Sequence, residues 1–466
     1  MATWYSIAVW VFSACGFGWA APSVPELKSF TVYSEPLELK PGQVHNRWSK
    51  PLPLPADIVQ RFANKTMYLK ALELDIVRKD WATGQHVSAP LFEIYNHHHA
   101  LLAGDTETME HIYNNSKGHD PLGPKGPHRM RPHGCMMHGA SMNNFLEEIR
   151  RVSKRKVVAS FGGASGAEFR GTSTELPAPY VSSTENPQSF MSLIHFINMR
   201  GAPRPSDRRF ECPCTKARHI DPTNGTVDGE KVLPFACSLE LLREKNTACS
   251  LSTYKGGYRC CEDGVFLTED APGASAHADI FHAKFTFSYY EEMPEARVVH
   301  QTACCDATGN VTHKGNIEYD IPQCAAGTPP EFCEHVISAV QTLDDGRRNS
   351  THDPDEMLEL VHAWGHQHLG ALGMELYNEQ TGQLLCKTKP RYGTGSEAGN
   401  EAGFLVGIEP CVWGRPPLPS PPRLRRSDLV RTIARYNSST PRHGVMSLWL
   451  MSASPVSKPT APDVLI

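Results

Sequence analysis

The stretch HADIFHAKFTFSYYEE, from His277 to Glu292, alternates apolar or aromatic residues with polar ones along most of its length. A period of two places successive side chains on opposite faces of an extended chain, which predicts a β-strand with one buried face. Short runs of this kind, bounded by Gly, Pro, Asn and Asp, dominate the chain, whereas long amphipathic helical repeats are scarce. The sequence therefore predicts an all-β protein of the sandwich type.

Four further segments extend this interpretation along the chain. ALGMELYNEQTGQLLC, Ala371–Cys386, has two alternating arms around a polar turn and predicts a β-hairpin. VMSLWLMSA, Val445–Ala453, predicts a buried strand. Helices are expected only at Met142–Lys154 and at Asp353–Trp364.

The length of 466 residues is too great for one ordinary hydrophobic core and predicts two domains. We expect two consecutive jelly-roll-like β-sandwich domains with disulfides, over residues 21–300 and 301–466, after a signal peptide at residues 1–20. The formal net charge of −4 gives no electrostatic reason to expect a nucleic-acid partner.

Several features predict a secreted, extracellular protein. An apolar N-terminal stretch ends in small residues at Ala20 and Ala21, as in cleavable secretory signals, and no other segment approaches transmembrane length. Six Asn-x-Ser/Thr sequons predict glycosylation. They begin at Asn64, Asn114, Asn224, Asn310, Asn349 and Asn437.

Cysteine usage supports the same compartment. Of 14 cysteines, 13 follow the presumed signal, and their spacing suits disulfides better than a zinc ribbon. Pairs that flank a predicted hairpin or loop are favoured where a bridge across that loop stabilises the fold by about 3 kcal/mol. We therefore predict that Cys304 or Cys305 pairs with Cys324, and Cys386 with Cys411.

Two histidine motifs are candidates for metal binding. In HQHLG, His366 and His368 share one face of a strand and can point at one ion, although a surface pair would show the same pattern. A helical zinc-protease arrangement of His362 and His366 would require a glutamate where Ala363 stands. The triplet in NHHHALLAG, from Asn96, is ambiguous because adjacent strand residues face opposite ways.

A late methionine points to copper rather than zinc. Met446 heads the apolar strand of RHGVMSLWLM, in the same half of the chain as His366 and His368. Thioether is a good ligand for reduced copper, and imidazole suits both copper oxidation states. The alternative is that Met446 only fills the core, as methionine ordinarily does.

These motifs resemble, in the same order, the three signatures of the type II ascorbate-dependent copper monooxygenases. A broader resemblance, from about Leu91 onward, is to the stress up-regulated nodulin family. It rests on PLFEIYNHHH, GYRCCEDG, HQHLGALGMELY, YGTGSEAGNEAGFLVG and RYNSSTPRHGVM. The block from Gly399 to Gly403 is specific to that family.

The monooxygenase resemblance implies two copper sites in the cleft between the domains. One would relay electrons from a reductant such as ascorbate, and the other, catalytic site would activate oxygen. The implied ligands are His98, His99 and His195 for the first ion and His366, His368 and Met446 for the second. Trp364, Leu448 and Leu450 stand where the peptidylglycine enzymes have Arg, Asn and Tyr, so the resemblance does not extend to a peptidylglycine substrate.

The resemblance thus implies a secreted copper-dependent monooxygenase-like protein that acts on an unknown small-molecule or extracellular substrate with dioxygen and a reductant such as ascorbate. No nucleic-acid partner and no integral membrane segment beyond the signal peptide are expected. The alternative is a non-catalytic extracellular protein of stress or cell-wall type that keeps the fold, with or without bound metal.

Overall fold

The computed structural model describes residues 25–80, 82–116, 158–163, 174–200, 277–302, 305–307, 319–343 and 353–456, with short strands at 220–221, 226–227 and 230–231. The elements of the N-terminal half are β1 (Lys28–Tyr33), β2 (Leu37–Leu39), β3 (Val44–Trp48), β4 (Leu52–Pro53), α1 (Ala56–Arg61), β5 (Thr66–Lys79), β6 (His86–Ser88), β7 (Ile94–Gly104), α2 (Thr106–Ser116), β8 (Ala159–Gly163), β9 (Thr174–Glu175), β10 (Tyr180–Glu185), β11 (Ser189–Asn198), β12 (Ile220–Asp221), β13 (Thr226–Val227), β14 (Glu230–Lys231), β15 (Asp279–Tyr290) and β16 (Arg297–Val298).

The elements of the C-terminal half are β17 (His300–Gln301), β18 (Cys305–Asp306), β19 (Tyr319–Ile321), a 3₁₀-helix (Pro330–Phe332), β20 (Glu334–Thr342), β21 (Met357–Gln367), β22 (Ala371–Asn378), β23 (Leu384–Thr388), β24 (Pro390–Tyr392), β25 (Leu405–Ile408), β26 (Cys411–Val412), β27 (Arg423–Arg425), β28 (Leu429–Asn437), β29 (Arg442–Val445) and β30 (Ser447–Pro455). The protein is mostly β, which confirms the all-β sandwich fold.

The N-terminal half is a sandwich of two sheets. One has the order β1-β15-β5-β10-β16, with β2, β6 and β9 at its margins, and the other has the order β3-β11-β7-β8 with β4. The alternation of β15 decides which side is buried: Phe281, Phe285 and Phe287 lie in the core, while the intervening side chains are more exposed. The strand predicted at His277–Glu292 is therefore confirmed.

The C-terminal half repeats the arrangement with different strands. One sheet has the order β17-β30-β21-β26, with β18 and β27, and the other has the order β20-β28-β22-β23. Strand pairing changes partners between β16, which pairs with β10, and β17, which pairs with β30. This change lies close to the boundary predicted near residue 300; the division into two domains stays a prediction.

The hairpin predicted over Ala371–Cys386 is confirmed as β22 and β23, and the buried strand near Val445–Ala453 as β30. The helix predicted at Asp353–Trp364 is wrong, because β21 occupies most of that segment. Nearly every residue of β21 is buried, so both faces of this strand are covered. A strand buried on both faces loses polar alternation and cannot be told from a buried helix by periodicity.

The signal peptide, the helix at Met142–Lys154 and the sequons at Asn224, Asn310 and Asn349 lie outside the described residues. Within the described ranges, no helix has the length and apolar character that a membrane span requires.

Two disulfides bear on the cysteine predictions. The predicted pair Cys386–Cys411 is confirmed, and it joins β23 of one sheet to β26 of the opposite sheet. The predicted partner of Cys324 is wrong, because Cys324 pairs with Cys333 instead of Cys304 or Cys305. The backbone explains the choice: the Ser438 carbonyl accepts from Cys324, and Ser438 in turn donates to the Cys333 carbonyl, which brings the two cysteines together.

We predict that replacing Cys386 and Cys411 together by alanine lowers the free energy of unfolding by about 3 kcal/mol, because the crosslink restricts a loop of 25 residues in the unfolded chain. Replacing Cys324 and Cys333, which enclose only 9 residues, is the matched comparison and should cost less. Urea denaturation of the two double variants measures both effects. An equal or larger loss in the second variant would contradict this account.

Candidate metal centre

The histidine triplet lies on β7 at an irregularity of the strand. His195 of β11 faces His98 in register, but the next residue, Phe196, faces Asn96, so His97 is an extra residue. Such a β-bulge locally disrupts the alternation of side chains and can re-aim one of them. The ring of His97 accordingly lies 4.4 Å from the ring of His195.

The second motif lies where β21 turns into β22. His366 is within β21, opposite Leu448 of β30, and His368 is in the turn that follows. Gly370 has a φ of +92°, a conformation that other residues rarely adopt, and the His368 carbonyl accepts from the Ala371 N–H. This tight turn holds the His368 ring beside the end of its own strand.

Four imidazole rings from the two halves meet in one buried cluster, which we call the histidine cluster: His97, His195, His366 and His368. His97 lies among the others, with ring-centroid distances of 4.4 Å to His195, 5.1 Å to His368 and 6.4 Å to His366. The rings of His366 and His368 are 5.1 Å apart. All four residues are fully buried.

Within the histidine cluster, a polar contact between the two halves joins Nε2 of His97 to Nε2 of His368, at 3.4 Å. That distance is long for a hydrogen bond with an N–H donor, which is usually about 2.7–3.2 Å. By contrast, two nitrogens bound tetrahedrally to one ion at about 2.0–2.1 Å lie about 3.3–3.4 Å apart. The contact therefore fits two ligands of a single ion.

Burial favours the neutral ring that metal binding requires at His368. Burial lowers the pKa of His368 to about 3, so its imidazole stays uncharged at neutral pH. In the described part of the chain, no group of three or more His, Cys, Asp or Glu side chains is arranged so that it could hold a metal ion. The cluster supplies imidazole donors, and binding of one ion by three or more of them would require the rings to change orientation.

A tyrosine fixes the backbone on both sides of the cluster. The hydroxyl of Tyr436 accepts a hydrogen bond from the His368 N–H at 2.7 Å and donates one to the Met446 carbonyl at 2.7 Å. Tyr436 is fully buried, and this burial raises the pKa of its phenol well above 10. The hydroxyl therefore stays protonated and can serve as donor and acceptor at once.

Three of the six predicted ligands, His195, His366 and His368, come together in the cluster. His99 shares a strand face with Leu101 and Ala103, which pack between the two sheets, and faces away from His97. The side chain of His98 lies outside the described part of the structure.

The remaining predicted ligand, Met446, is buried. It packs against the apolar side chains of Trp364, Leu448 and Leu450. This apolar group lies next to His366, because His366 of β21 pairs with Leu448 of β30. Its role as a ligand stays a prediction.

The sequence interpretation missed His97, although the triplet was its signal, and it did not select His362 as part of a site. His362 lies four residues before His366 on β21 and is buried beside Trp364. Its Nε2 and the hydroxyl of Ser160 have no hydrogen-bond partner among the described residues. Both residues line a cavity of about 20 Å³ between the two halves, large enough for one water molecule.

We predict that the protein loses stability as pH falls from 6.5 toward 4, because burial lowers the pKa of His362 to about 4 while the unfolded chain takes up the proton near 6.5. The unfolded state then binds more protons, so His362 alone should cost about 3 kcal/mol across this window and nothing further below it. Urea denaturation at several pH values measures the slope. His362→Gln should flatten it, whereas the exposed control His277→Gln should not; equal slopes in all three proteins would contradict the prediction.

We also predict that Tyr436→Phe lowers the free energy of unfolding by about 1–3 kcal/mol, because it leaves the His368 N–H and the Met446 carbonyl without their shared partner. The control is Tyr377→Phe, whose hydroxyl bonds only the side chain of Glu375 at 3.2 Å. Chemical denaturation compares the two variants. A loss in Tyr436→Phe no greater than in the control would show that the bridge contributes little.

Comparison with known sequences places the chain in a family. No curated protein matches it significantly. The sequence profile of the family described as stress up-regulated Nod 19 matches residues 25–454, which extends the resemblance toward the N-terminus beyond Leu91. Nearly the whole length of both sandwiches is therefore covered, and the chain belongs to the stress up-regulated Nod 19 family.

Proposed function

We propose that this protein is a copper-dependent oxidoreductase of the monooxygenase type whose metal is held by the histidine cluster between its two sandwiches. The observation that carries the proposal is the 3.4 Å contact between Nε2 of His97 and Nε2 of His368. These two residues lie 271 positions apart, and each is fully buried. A metal ion held between the two rings would give both of them one shared partner, which would compensate for the burial of these polar groups.

Copper is the ion that the donor set favours. Imidazole binds zinc, copper, iron and nickel, but the affinity of such sites for divalent ions is highest for copper. An all-imidazole site also suits both copper oxidation states. Bound copper would supply electron transfer and activation of dioxygen, whereas the protein contributes the neutral donors and excludes water from them.

The histidine cluster is the basis for proposing one copper ion, whereas the resemblance implied two separate copper sites. The rings of His195, His366 and His368 all lie within 6.4 Å of the His97 ring, so they form a single group. Met446 is the candidate soft donor, because the Tyr436 hydroxyl ties its backbone to that of His368. A second ion at His98 and His99 remains part of the sequence-based proposal only.

The reaction proposed is hydroxylation of a substrate C–H bond by dioxygen. One oxygen atom enters the substrate and the other leaves as water, so each turnover consumes two electrons and two protons. A reductant such as ascorbate would supply the electrons. The proposed setting is extracellular, in keeping with the N-terminal signal-like segment, the sequons and the disulfides.

The experiment is copper analysis of the purified protein together with oxygen uptake in the presence of ascorbate. We predict that the parent protein binds copper tightly, that His97→Gln and His368→Gln lose it, and that the exposed control His86→Gln keeps it. Met446→Ile should remain folded, because it preserves the apolar bulk beside Trp364 and Leu448, and should lose oxygen uptake.

Three outcomes would contradict the proposal in different ways. Unchanged copper content in His97→Gln and His368→Gln would remove the cluster as the metal site. Specific copper binding with no oxygen uptake, either without substrate or across a panel of candidate substrates, would favour the alternative function. In that case the protein would bind metal without turnover. Zinc in place of copper, with no response to ascorbate, would exclude the redox reaction.

A further inference from the structure

The segment GTGSEAGNEAG, Gly393–Gly403, folds into a compact loop between β24 and β25. The N–H of Gly393 donates to the Phe404 carbonyl, and the N–H of Gly403 donates back to Gly393. A Cβ atom on Gly393 would lie 2.2 Å from the carbonyl oxygen of Glu401, so only glycine permits this approach. The family-specific block therefore has a defined shape, and that shape surrounds Glu401.

Glu401 is a buried carboxylate that bonds across the two halves of the protein. Its Oε1 accepts the N–H of Leu91 at 2.8 Å, and its Oε2 accepts the N–H of Gly399 at 3.0 Å. The residue is only 1% exposed. A carboxylate taken out of water is costly unless charge-assisted hydrogen bonds compensate it, so both N–H groups are needed at these positions.

The Leu91 contact lies at the base of the strand that carries His97. Leu91 comes three residues before β7 and packs with Tyr95 against Phe404 and Leu405, which follow the loop in sequence. Leu369, next to His368, packs against the same apolar group. One interface therefore connects the loop, the start of β7 and the turn that holds His368.

We infer that Glu401 is a positioning residue that pins the start of β7 to the C-terminal half and thereby sets the placement of His97 against His368. Glu401 contacts neither ring. Its effect passes through the Leu91 backbone and the apolar group around Tyr95 and Phe404. The metal-binding consequence of this inference rests on the proposed function, whereas the placement of the two rings does not.

A second buried carboxylate provides a matched control. Glu359 of β21 accepts the hydroxyl of Tyr180 at 2.6 Å and forms ion pairs with Arg297 and Arg423. It too joins the two halves and is 5% exposed. It lies seven residues before His366 on the same strand, a separation of about 23 Å in an extended chain. Weakening the contacts of Glu359 should therefore disturb the interface between the two halves without moving the start of β7, which Glu401 holds.

The experiment compares Glu401→Gln with Glu359→Gln in the full chain. Each keeps the side-chain volume but replaces one oxygen by an amide donor. In Glu401→Gln we expect amide hydrogen exchange at Leu91 to accelerate about ten-fold or more, since loss of a charge-assisted hydrogen bond has that size. The imidazole NMR signals of His97 and His368 should shift. In Glu359→Gln, stability should fall while the Leu91 exchange and both sets of signals match the parent.

A copper titration adds the test that depends on the proposed function. Glu401→Gln should weaken copper binding by about ten-fold, and Glu359→Gln should leave it within about two-fold. Unchanged His97 and His368 signals in Glu401→Gln, or the same shifts in both variants, would overturn the positioning role. A parent that binds no copper, with the ring signals still shifting only in Glu401→Gln, would refute the proposed function and leave the positioning inference standing.

Discussion

The contact between His97 and His368 requires that strands from the two sandwiches be held against each other. Neither half of the chain could form the histidine cluster alone, because His97 and His195 come from one sandwich and His366 and His368 from the other. The strands that carry His195 and His366 are accordingly among the most buried in the described part of the protein. Nearly all residues of β11 and β21 are buried, as expected for strands covered on both faces.

The bulge in β7 explains how His97 reaches His195. Adjacent residues of a regular strand face opposite sides. His97 is the extra residue between the partners of His195 and Phe196, and its ring lies beside the His195 ring. The regular strand resumes at His99, which returns to the face shared with Leu101 and Ala103.

Much of the fold could be predicted because the alternation of apolar and polar residues along a strand follows directly from the burial of one of its faces. It identified β15 and the β22–β23 hairpin, and short loop spacing identified the Cys386–Cys411 bridge. Alternation failed for β21, where burial on both faces removed the polar positions that distinguish a strand. Cys324 was assigned wrongly because loop spacing allows more than one partner, and its pairing with Cys333 depends on backbone hydrogen bonds to Ser438.

The sequence could predict that histidines form the candidate site, but not which histidines belong to it. His366 and His368 follow from a two-residue spacing, and His195 entered through a resemblance; all three lie in the cluster. His97 could not be chosen over its neighbours, because a bulge depends on the pairing of β7 with β11 and leaves no signature in the triplet. The single cluster likewise depends on how the two sandwiches meet, which strand patterns do not encode.

Polar contacts explain how an interface of this kind keeps one arrangement. An apolar group such as that of Tyr95, Phe404 and Leu405 favours contact but is non-directional, so it tolerates small displacements. A buried carboxylate does not tolerate such displacements, because a shift that breaks its hydrogen bonds leaves a buried charge without compensation. Metal ligands must be placed within about 0.2 Å. Buried carboxylates at Glu401 and Glu359 supply the directional restraint that apolar packing lacks, and this restraint is what a site shared between two sandwiches requires.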